Sequence, residues 1–504
     1  MTTLIKGRRK FQEEGNFGTS KDQYWLLPFR FHRLTDKTEI LVNEVGDYVT
    51  VPSGTTKLII KKKLSKTNSP ELYKDLAANF IISQKPVPDL LDTLATRYRT
   101  KKSFLDHFTS LHIFVITLRC EHTCQYCQVS RVTQDKERYD MSFEHIDKGI
   151  DMMLKSPNNH VTMEFQGGES LLAFEKIVYA VTRTKKLLKQ IDKHVTFVIC
   201  TNLALITAEM LDFCKENDIL ISTSLDGPSN IHNINRPRSG KNSYELLLNG
   251  IALSRKILGA DRVSALMTTT SLSLNHPKEI VDEYFQQGFR NIFLRPISPY
   301  GFATKNPAKN IYDTDKFLEF YKTAFQHILQ YNLGGKYFRE DYATVILKKI
   351  LTPFPVGYVD LQSPAGLINS VIVFNYEGSV YATDEARMLA EMKDYTFKLG
   401  HLDENTYHEI FYGDKAQEIA KVWANETLSG CSDCAFQAYC GADPVHNYAT
   451  QGDIYGHRPT SSFCKRNMEI IRYLIELMES DKIIKQIFQS WVSPLHQPAY
   501  ASQN

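Results

Sequence analysis

An α/β fold built around a partial barrel of six strand–helix units is predicted for the middle of this 504-residue chain. Between about residues 105 and 300, β-rich apolar runs alternate with segments of helical period, and parallel strands need such helical crossovers. Six units are too few for a closed eightfold barrel, so the sheet is expected to be curved and partly open. The predicted strands are 111–118, 160–165, 194–200, 219–225, 262–268 and 290–295, and the predicted helices are 142–154, 174–190, 208–216, 243–258 and 277–287.

The segments on either side of the barrel do not show its alternation of strand and helix patterns. Residues 1–20 are basic and without period, which predicts a disordered tail. Residues 21–100 predict a small α+β domain, in which two strands around a turn precede short helices. Residues 301–360 predict a helical bridge. Residues 361–504 predict short strands and turns, a cysteine-rich loop and a long helix at 467–491.

Composition excludes several classes of protein. Hydrophobic residues make up 42% and charged residues 23%, as in ordinary soluble domains. A net charge of +3 is too small to indicate a nucleic-acid partner. No apolar run approaches the roughly 20 residues of a membrane span, and the polar N-terminal residues lack the apolar region of a signal peptide. We therefore expect a cytoplasmic protein with reduced thiols.

Three cysteines follow the first predicted strand at the spacing C-x3-C-x2-C: Cys120, Cys124 and Cys127. In a reducing compartment such a group favours metal binding over disulfides. A loop of this length can direct three thiolates toward one point. Three thiolates hold three irons of a 4Fe–4S cluster and leave the fourth iron open to another ligand.

A second group of cysteines comprises Cys431, Cys434, Cys440 and Cys464. Zinc and a 4Fe–4S cluster both accept four thiolates, so the spacing does not choose between them. The two remaining cysteines, Cys200 and Cys214, lie in apolar patterns and are expected to be small buried hydrophobic residues.

Further polar residues follow the next three predicted strands. Gly167, Gly168 and Glu169 follow the second strand; the glycines allow a ligand close to the backbone, and the carboxylate can bind an ammonium group. Asn202 follows the third strand, and Ser224 and Arg236 follow the fourth. A hydroxyl suits a ribose, and a guanidinium suits a carboxylate. Ordinary turn chemistry is the alternative at each position.

The first cysteine loop, with Tyr126 before its third cysteine, resembles the signature loop of radical S-adenosylmethionine (SAM) enzymes. The resemblance implies that the open iron binds SAM, that Gly167, Gly168 and Glu169 form the motif that binds its amino group, and that Tyr126 contacts adenine. Packing of an aromatic ring is the alternative for Tyr126. In this family one electron cleaves SAM to a 5′-deoxyadenosyl radical, which abstracts hydrogen from a substrate C–H bond.

The second cysteine group resembles the SPASM domain, a C-terminal extension of peptide-modifying radical SAM enzymes. The C-x2-C-x5-C run ending at Cys440 is intact, and Cys464 matches the last family cysteine. Three other family cysteines are missing, at positions near Ser363 and at Thr383 and Pro444. The resemblance therefore implies one auxiliary 4Fe–4S cluster rather than two.

Asp384 directly follows one of these missing cysteines. In members that resemble sulfatase maturases, the matching aspartate acts as a base toward the substrate radical, so Asp384 is the candidate catalytic residue. The alternative is a polar loop without a catalytic role.

Taken end to end, the chain is most similar to the radical SAM maturases of the His-Xaa-Ser system, through segments 27–31, 384–389, 444–448 and 456–461. This resemblance implies a ribosomally synthesised peptide or protein with His-Xaa-Ser repeats as substrate. It also implies partner maturation proteins and a reductant such as flavodoxin or ferredoxin. The domain at 21–100 resembles winged-helix peptide-recognition domains, with a structural cap as the alternative.

Two other functions compete with this prediction. One is an anaerobic sulfatase-maturase-like enzyme, which the missing auxiliary cysteines disfavour. The other is a non-catalytic adaptor in which both cysteine groups bind zinc.

Overall fold

The computed structural model describes residues 24–84, 88–124, 126–127, 133–301 and 312–493. The tail predicted at 1–20 lies outside them. The described chain packs into two compact units. The first contains the described residues up to Thr100 together with Asp433–Ala438, and the second contains the remaining ones. The limits of the five predicted domains stay a prediction.

The first unit contains a three-stranded antiparallel sheet and a two-stranded one over a core that includes Tyr24, Leu41 and Ile59. The strands are β1 (Trp25–Leu26), β2 (Phe29–Arg33), β3 (Thr38–Asn43), β4 (Tyr48–Pro52) and β5 (Ile82–Ser83), with helices α1 (Thr55–Ile60), α2 (Pro70–Ala78) and α3 (Pro88–Lys102). The predicted strand pair corresponds to β3 and β4. Strand β2 was not predicted, because its arginines and histidine interrupt the apolar pattern.

The second unit is built on an eight-stranded sheet in the order β10-β9-β8-β7-β6-β13-β14-β15. Strands β6 to β10 and β13 run parallel, whereas β14 and β15 are antiparallel to their neighbours. The strands are β6 (Leu111–Thr117), β7 (His160–Gly167), β8 (His194–Cys200), β9 (Leu220–Ser224), β10 (Val263–Leu266), β11 (Asn291–Ile292), β12 (Arg339–Glu340), β13 (Val371–Phe374), β14 (Ser379–Tyr381) and β15 (Lys398–His401). The predicted α/β fold and its first five parallel strands are confirmed.

The sixth predicted strand, 290–295, departs from expectation. Only β11 forms there, and it pairs with β12 in a separate two-stranded sheet. Beyond β11, the Leu294 N–H donates to the Glu340 carboxylate, and Pro296 has no N–H to continue a ladder. One of the short strands predicted after residue 361, β13, pairs with β6 in the main sheet.

Helices cover the sheet and build the C-terminal part. They are α4 (Lys136–Tyr139), α5 (Phe143–Leu154), α6 (Phe174–Leu188), α7 (Ala208–Glu216), α8 (Ser229–Asn235), α9 (Ser243–Leu258), α10 (Pro277–Gln286), α11 (Thr314–Leu333), α12 (Asp341–Leu351), α13 (Asp384–Glu391), α14 (Tyr407–Tyr412), α15 (Asp414–Ala420), α16 (Pro444–Gln451), α17 (Ser462–Ser480) and α18 (Lys482–Val492). Within the described ranges, every helix is too short or too polar to cross a bilayer.

The single helix predicted at 467–491 is two helices, α17 and α18. The break falls at Asp481, whose carboxylate accepts hydrogen bonds from the N–H groups of Ile483 and Ile484 at 2.7 and 3.4 Å. An aspartate in this position starts a new helix, because it satisfies donors that have no partner within the helix. The apolar period continues across the break, which is why the sequence predicted one helix.

Candidate active site

The loops that follow β6, β7, β8 and β9 line one cavity of about 270 Å³ in the second unit. The carboxyl ends of parallel strands meet at one edge of a sheet, where such folds bind their ligands. Every predicted site residue outside the second cysteine group lines this cavity. These residues are Cys120, Cys124, Tyr126, Cys127, Gly167, Gly168, Glu169, Asn202, Ser224, Arg236 and Asp384. The structure therefore brings together residues that are spread over more than 260 positions of the chain.

The cysteine loop is held by hydrogen bonds to its own neighbours and to the segment after α8. The Thr123 N–H donates to the Pro237 carbonyl at 2.8 Å, and the Cys127 N–H donates to the Cys124 carbonyl at 3.1 Å. Burial raises the pKa of the Cys124 thiol to about 12, although Arg236 opposes the shift. Thiols in such surroundings ionise only with a strong positive charge beside them, and iron supplies it. The loop thus fits a metal cluster.

The two glycines allow two loops to pack against each other. The Gly168 N–H donates to the Thr117 carbonyl at 2.8 Å, and the Glu169 N–H donates to the Arg119 carbonyl at 2.7 Å. A Cβ on Gly168 would lie 2.2 Å from the Arg119 oxygen. The sequence predicted that these glycines make room for a ligand. At Gly168 the space where a side chain would begin is instead filled by backbone atoms of the cysteine loop.

Gly168→Ala is therefore expected to destabilise the protein and displace the cysteine loop. Because the clash is with backbone rather than a movable side chain, we expect a loss of about 3 kcal/mol or more in the free energy of unfolding. Denaturant unfolding and iron content measure the two effects. Gly334→Ala is a control for glycine replacement as such, since its backbone is not left-handed and a Cβ there meets only ordinary contacts at 3.4 Å. Equal stability of the two variants would contradict the prediction.

Glu169 is 1% exposed and lies in a corner with a second carboxylate. It accepts hydrogen bonds from the Thr201 hydroxyl at 2.6 Å and from the Asn202 N–H at 2.8 Å. The Asn202 side-chain amide donates to Glu121 at 2.8 Å, so one asparagine joins both acidic residues. Burial, and then the neighbouring Glu121 charge, raise the pKa of Glu169 to about 7.

The two carboxylates of this corner are incompletely paired. The second oxygen of Glu121, Oε2, is buried without a hydrogen-bond partner. Among the described residues, neither Glu121 nor Glu169 makes an ion pair with lysine or arginine, and His122 is the basic neighbour of Glu121. Buried carboxylates without a cation are costly, so the corner fits an ammonium group. Glu121 was missed because it stands inside a motif defined by its cysteines.

Asp226 holds two residues of the cavity lining, Tyr126 and Arg236, and was also missed. It is fully buried, accepts a hydrogen bond from the Tyr126 hydroxyl at 2.6 Å, and pairs with Arg236 at 3.0 Å. The guanidinium of Arg236 lies 5.3 Å from the centre of the Tyr126 ring. Asp226 thus fixes two predicted contact residues at once. In the sequence Asp226 stands in an Asp-Gly-Pro segment, which also forms a good turn without any ligand.

Asp384 enters the cavity from the C-terminal part of the second unit, at the start of α13. Arg387, which is itself buried, donates to its Oδ1 through Nε and Nη2 at 2.8 and 2.7 Å. Both N–H groups thus donate to the same oxygen, Oδ1, and together they hold the Asp384 carboxylate in position.

The positions of the missing family cysteines have local structural roles. Thr383 caps α13 by accepting a hydrogen bond from the Ala386 N–H at 3.1 Å. Pro444 begins α16, where the absence of an N–H costs nothing. The Ser363 hydroxyl bonds to Glu426. These residues suit helix starts and hydrogen bonds rather than metal ligation.

The second cysteine group is divided between the two units. Cys431, Cys440 and Cys464 belong to the second, and Cys434 belongs to the first. Cys440 and Cys464 interact electrostatically: burial raises the pKa of Cys464, and Cys440 raises it further. Joint ligation of one metal by all four cysteines stays a prediction.

Comparison with known proteins identifies the family. Residues 114–294 match the model of the Radical SAM superfamily. An uncharacterised protein of Methanothermobacter thermautotrophicus is 30% identical over 196 residues, which are 38% of this chain and 69% of that protein. The cysteine-type anaerobic sulfatase-maturating enzyme of Clostridium perfringens is 24% identical over 64% of this chain and 84% of its own length. The solved structure of native anSMEcpe with bound AdoMet shares the fold, with a TM-score of 0.61 at 20% identity over 75% of this chain and 100% of that chain.

The chain belongs to the radical SAM superfamily and is an enzyme. Its family implies a 4Fe–4S cluster and SAM as cofactors, and its cysteine-rich C-terminal region fits an auxiliary cluster. The alternative of a non-catalytic zinc adaptor is therefore wrong.

Proposed function

We propose that this enzyme is a maturase that reductively cleaves SAM and modifies a ribosomally synthesised peptide or protein of the His-Xaa-Ser repeat type by hydrogen abstraction. The observation that carries the proposal is the convergence of Cys120, Cys124 and Cys127 with Glu169 and Asp384 around one cavity. Relatives named as sulfatase-maturating enzymes support a protein substrate. The segments that resemble His-Xaa-Ser maturases support the substrate type.

Different residues of the cavity bind the cluster and SAM. Cys120, Cys124 and Cys127 hold the 4Fe–4S cluster, which when bound supplies the electron that splits the sulfonium C–S bond of SAM. Glu169 accepts hydrogen bonds from the amino group of SAM, beside the unpartnered Glu121 oxygen. Gly167 and Gly168 keep the loop that carries Glu169 against the cysteine loop.

Three further residues complete the SAM-binding proposal. Ser224, at the end of β9, contributes a hydroxyl for the ribose. Tyr126 contacts adenine, and Arg236 faces the SAM carboxylate. Asp226 positions both of these side chains through its hydrogen bond and ion pair. Asn202 acts indirectly, because its amide groups orient the two carboxylates.

On the substrate side, Asp384 acts as the base toward the substrate radical. It lines the same cavity as the three cysteines, and Arg387 fixes the orientation of its carboxylate. A residue with this role must be close to the site of hydrogen abstraction and must be held in position.

We assign Cys431, Cys434, Cys440 and Cys464 to one auxiliary 4Fe–4S cluster. With four thiolates it has no open iron, so it passes electrons or stabilises the fold rather than binding substrate. The antiparallel sheet and short helices of the first unit suit peptide recognition.

The test is anaerobic purification with cluster reconstitution, followed by incubation with SAM and dithionite. We expect about eight irons per chain and release of 5′-deoxyadenosine. Co-expression with a His-Xaa-Ser repeat protein should change the mass of that protein, whereas co-expression with a sulfatase should leave the sulfatase unmodified. If no 5′-deoxyadenosine forms, the proposed function is wrong. If about four irons are bound and SAM is cleaved normally, only the proposal of an auxiliary cluster is wrong.

A further inference from the structure

A second cavity of about 50 Å³ adjoins the SAM cavity within the second unit. Residues 295–298 line both cavities, and Glu385 in the second directly follows Asp384 in the first. A space of this size holds a few water molecules or one amino-acid side chain. It therefore lies where part of a substrate would extend from the site of hydrogen abstraction.

The charged groups of this cavity do not balance. Its lining contains three carboxylates and two guanidinium groups: Asp360, Glu385, Asp443, Arg295 and Arg466. The nearest approach of Arg295 to Glu385 is 3.7 Å, which is too long for a good hydrogen bond. His446 also lines the cavity, but burial lowers its pKa to about 3, so it adds no charge. With all three carboxylates ionised, the lining would contain one more negative group than positive groups.

Burial and mutual repulsion raise the pKa values of two of these carboxyl groups. Burial, and then repulsion by Asp360, raise the pKa of Glu385 to about 8. The same two causes raise the pKa of Asp443 to about 7. A cation placed beside such buried carboxyl groups favours their ionised form and offsets the cost of burying their charge.

One polar group in the lining lacks a partner. The Nε of Arg466 is buried without a hydrogen bond in the part of the chain that the structure describes. Buried polar groups are normally bonded, so a ligand is expected to supply an acceptor for this N–H. The carbonyl groups of a bound peptide can supply it beside a cationic side chain.

The carboxylates come from the segments that lost the family cysteines. Asp360 lies three residues before Ser363, Glu385 two residues after Thr383, and Asp443 directly before Pro444. Where the sequence lacks the ligands of another cluster, the structure thus has an acidic cavity beside the SAM site.

We propose that this cavity binds a cationic side chain of the substrate peptide, with Asp360, Glu385 and Asp443 facing its charge. This inference rests on the proposed function and adds the element of the substrate that is recognised. For a His-Xaa-Ser repeat the side chain is a protonated histidine. Lysine and arginine share the same chemistry, so the experiment separates the three.

The experiment uses reconstituted enzyme with SAM and four synthetic peptides of three X-Ala-Ser triplets, in which X is histidine, lysine, arginine or glutamine. Binding is measured by anaerobic calorimetry at pH 6, where free histidine is mostly protonated, and at pH 8, where more of the Glu385 and Asp443 carboxyl groups are ionised. At least one cationic peptide is expected to bind about tenfold or more tightly than the glutamine peptide. The strongest of the three identifies the cation.

Glu385→Gln is expected to reduce this preference to less than about threefold. Glu404→Gln removes an exposed carboxylate outside the cavity and should retain the preference. Iron content establishes that each variant is folded, and Asp360→Asn repeats the test at a second position.

Equal affinity of all four peptides for the wild-type enzyme, or no binding of any, overturns the inference. A preference that survives in both cavity variants also overturns it. The wild-type enzyme is assayed separately for 5′-deoxyadenosine. If that product forms without a cation preference, only this inference falls, whereas its absence removes the proposed function itself.

Discussion

Cys124→Ala is expected to abolish formation of 5′-deoxyadenosine from SAM, a decrease of more than about a thousandfold. Cys124 is the middle ligand of the proposed cluster, and two thiolates cannot hold the three irons that three thiolates hold. Iron content should fall from about eight to about four per chain, since the second cysteine group is unchanged. Chromatography of the SAM reaction and iron analysis measure the two effects.

Cys214→Ala is the matched control. Cys214 is fully buried in α7, outside the SAM cavity, so its loss should leave iron content and SAM cleavage close to those of the wild type. Retention of SAM cleavage by Cys124→Ala, or equal iron loss in both variants, would show that the first cysteine group is not the cluster site.

Arg119→Leu is expected to lower the free energy of unfolding by about 3–5 kcal/mol. Arg119 is 1% exposed, and it donates through Nε and Nη2 to both oxygens of Asp140 at 2.7 and 2.8 Å. It also donates to the Leu172 carbonyl at 2.8 Å. Removing it leaves Asp140 as a buried charge with only the Thr117 hydroxyl as its side-chain partner.

Arg183→Leu controls for the loss of an arginine ion pair. Arg183 pairs with Asp147 at 3.2 Å, but both side chains are more than a third exposed, so the loss should be below about 1 kcal/mol. Urea unfolding of the two variants under identical anaerobic conditions measures the difference. Similar losses in both variants would mean that the Arg119 pair contributes no more than a surface ion pair.

The barrel strands and most of the site could be predicted from sequence for one physical reason. Buried parallel strands leave long apolar runs, and the polar residues directly after them are brought to the same edge of the sheet. Cys120, Glu169 and Asn202 are therefore recognisable although they are distant in the chain. The same reasoning cannot find Asp226, because its function depends on a tyrosine 100 residues earlier.

Other features follow from contacts that leave no local pattern. Gly168 is required by the position of the Arg119 carbonyl, which belongs to another loop. The sixth predicted strand has the right composition, yet only Asn291–Ile292 form a strand, and they pair with β12 in a separate sheet. Register and neighbour choice are decided between segments, so an apolar run alone does not determine them.

The pairing of β13 with β6 also bears on how the enzyme can be divided. Val371 to Phe374 lie beside Leu111 to Phe114, so the last third of the chain supplies a strand next to the one that leads into the cysteine loop. A fragment that ended before β13 would have an unpaired, apolar margin on that strand, and such margins promote association between molecules. The barrel strands and the C-terminal strands thus share one sheet, and we expect neither part to fold correctly when it is separated from the other.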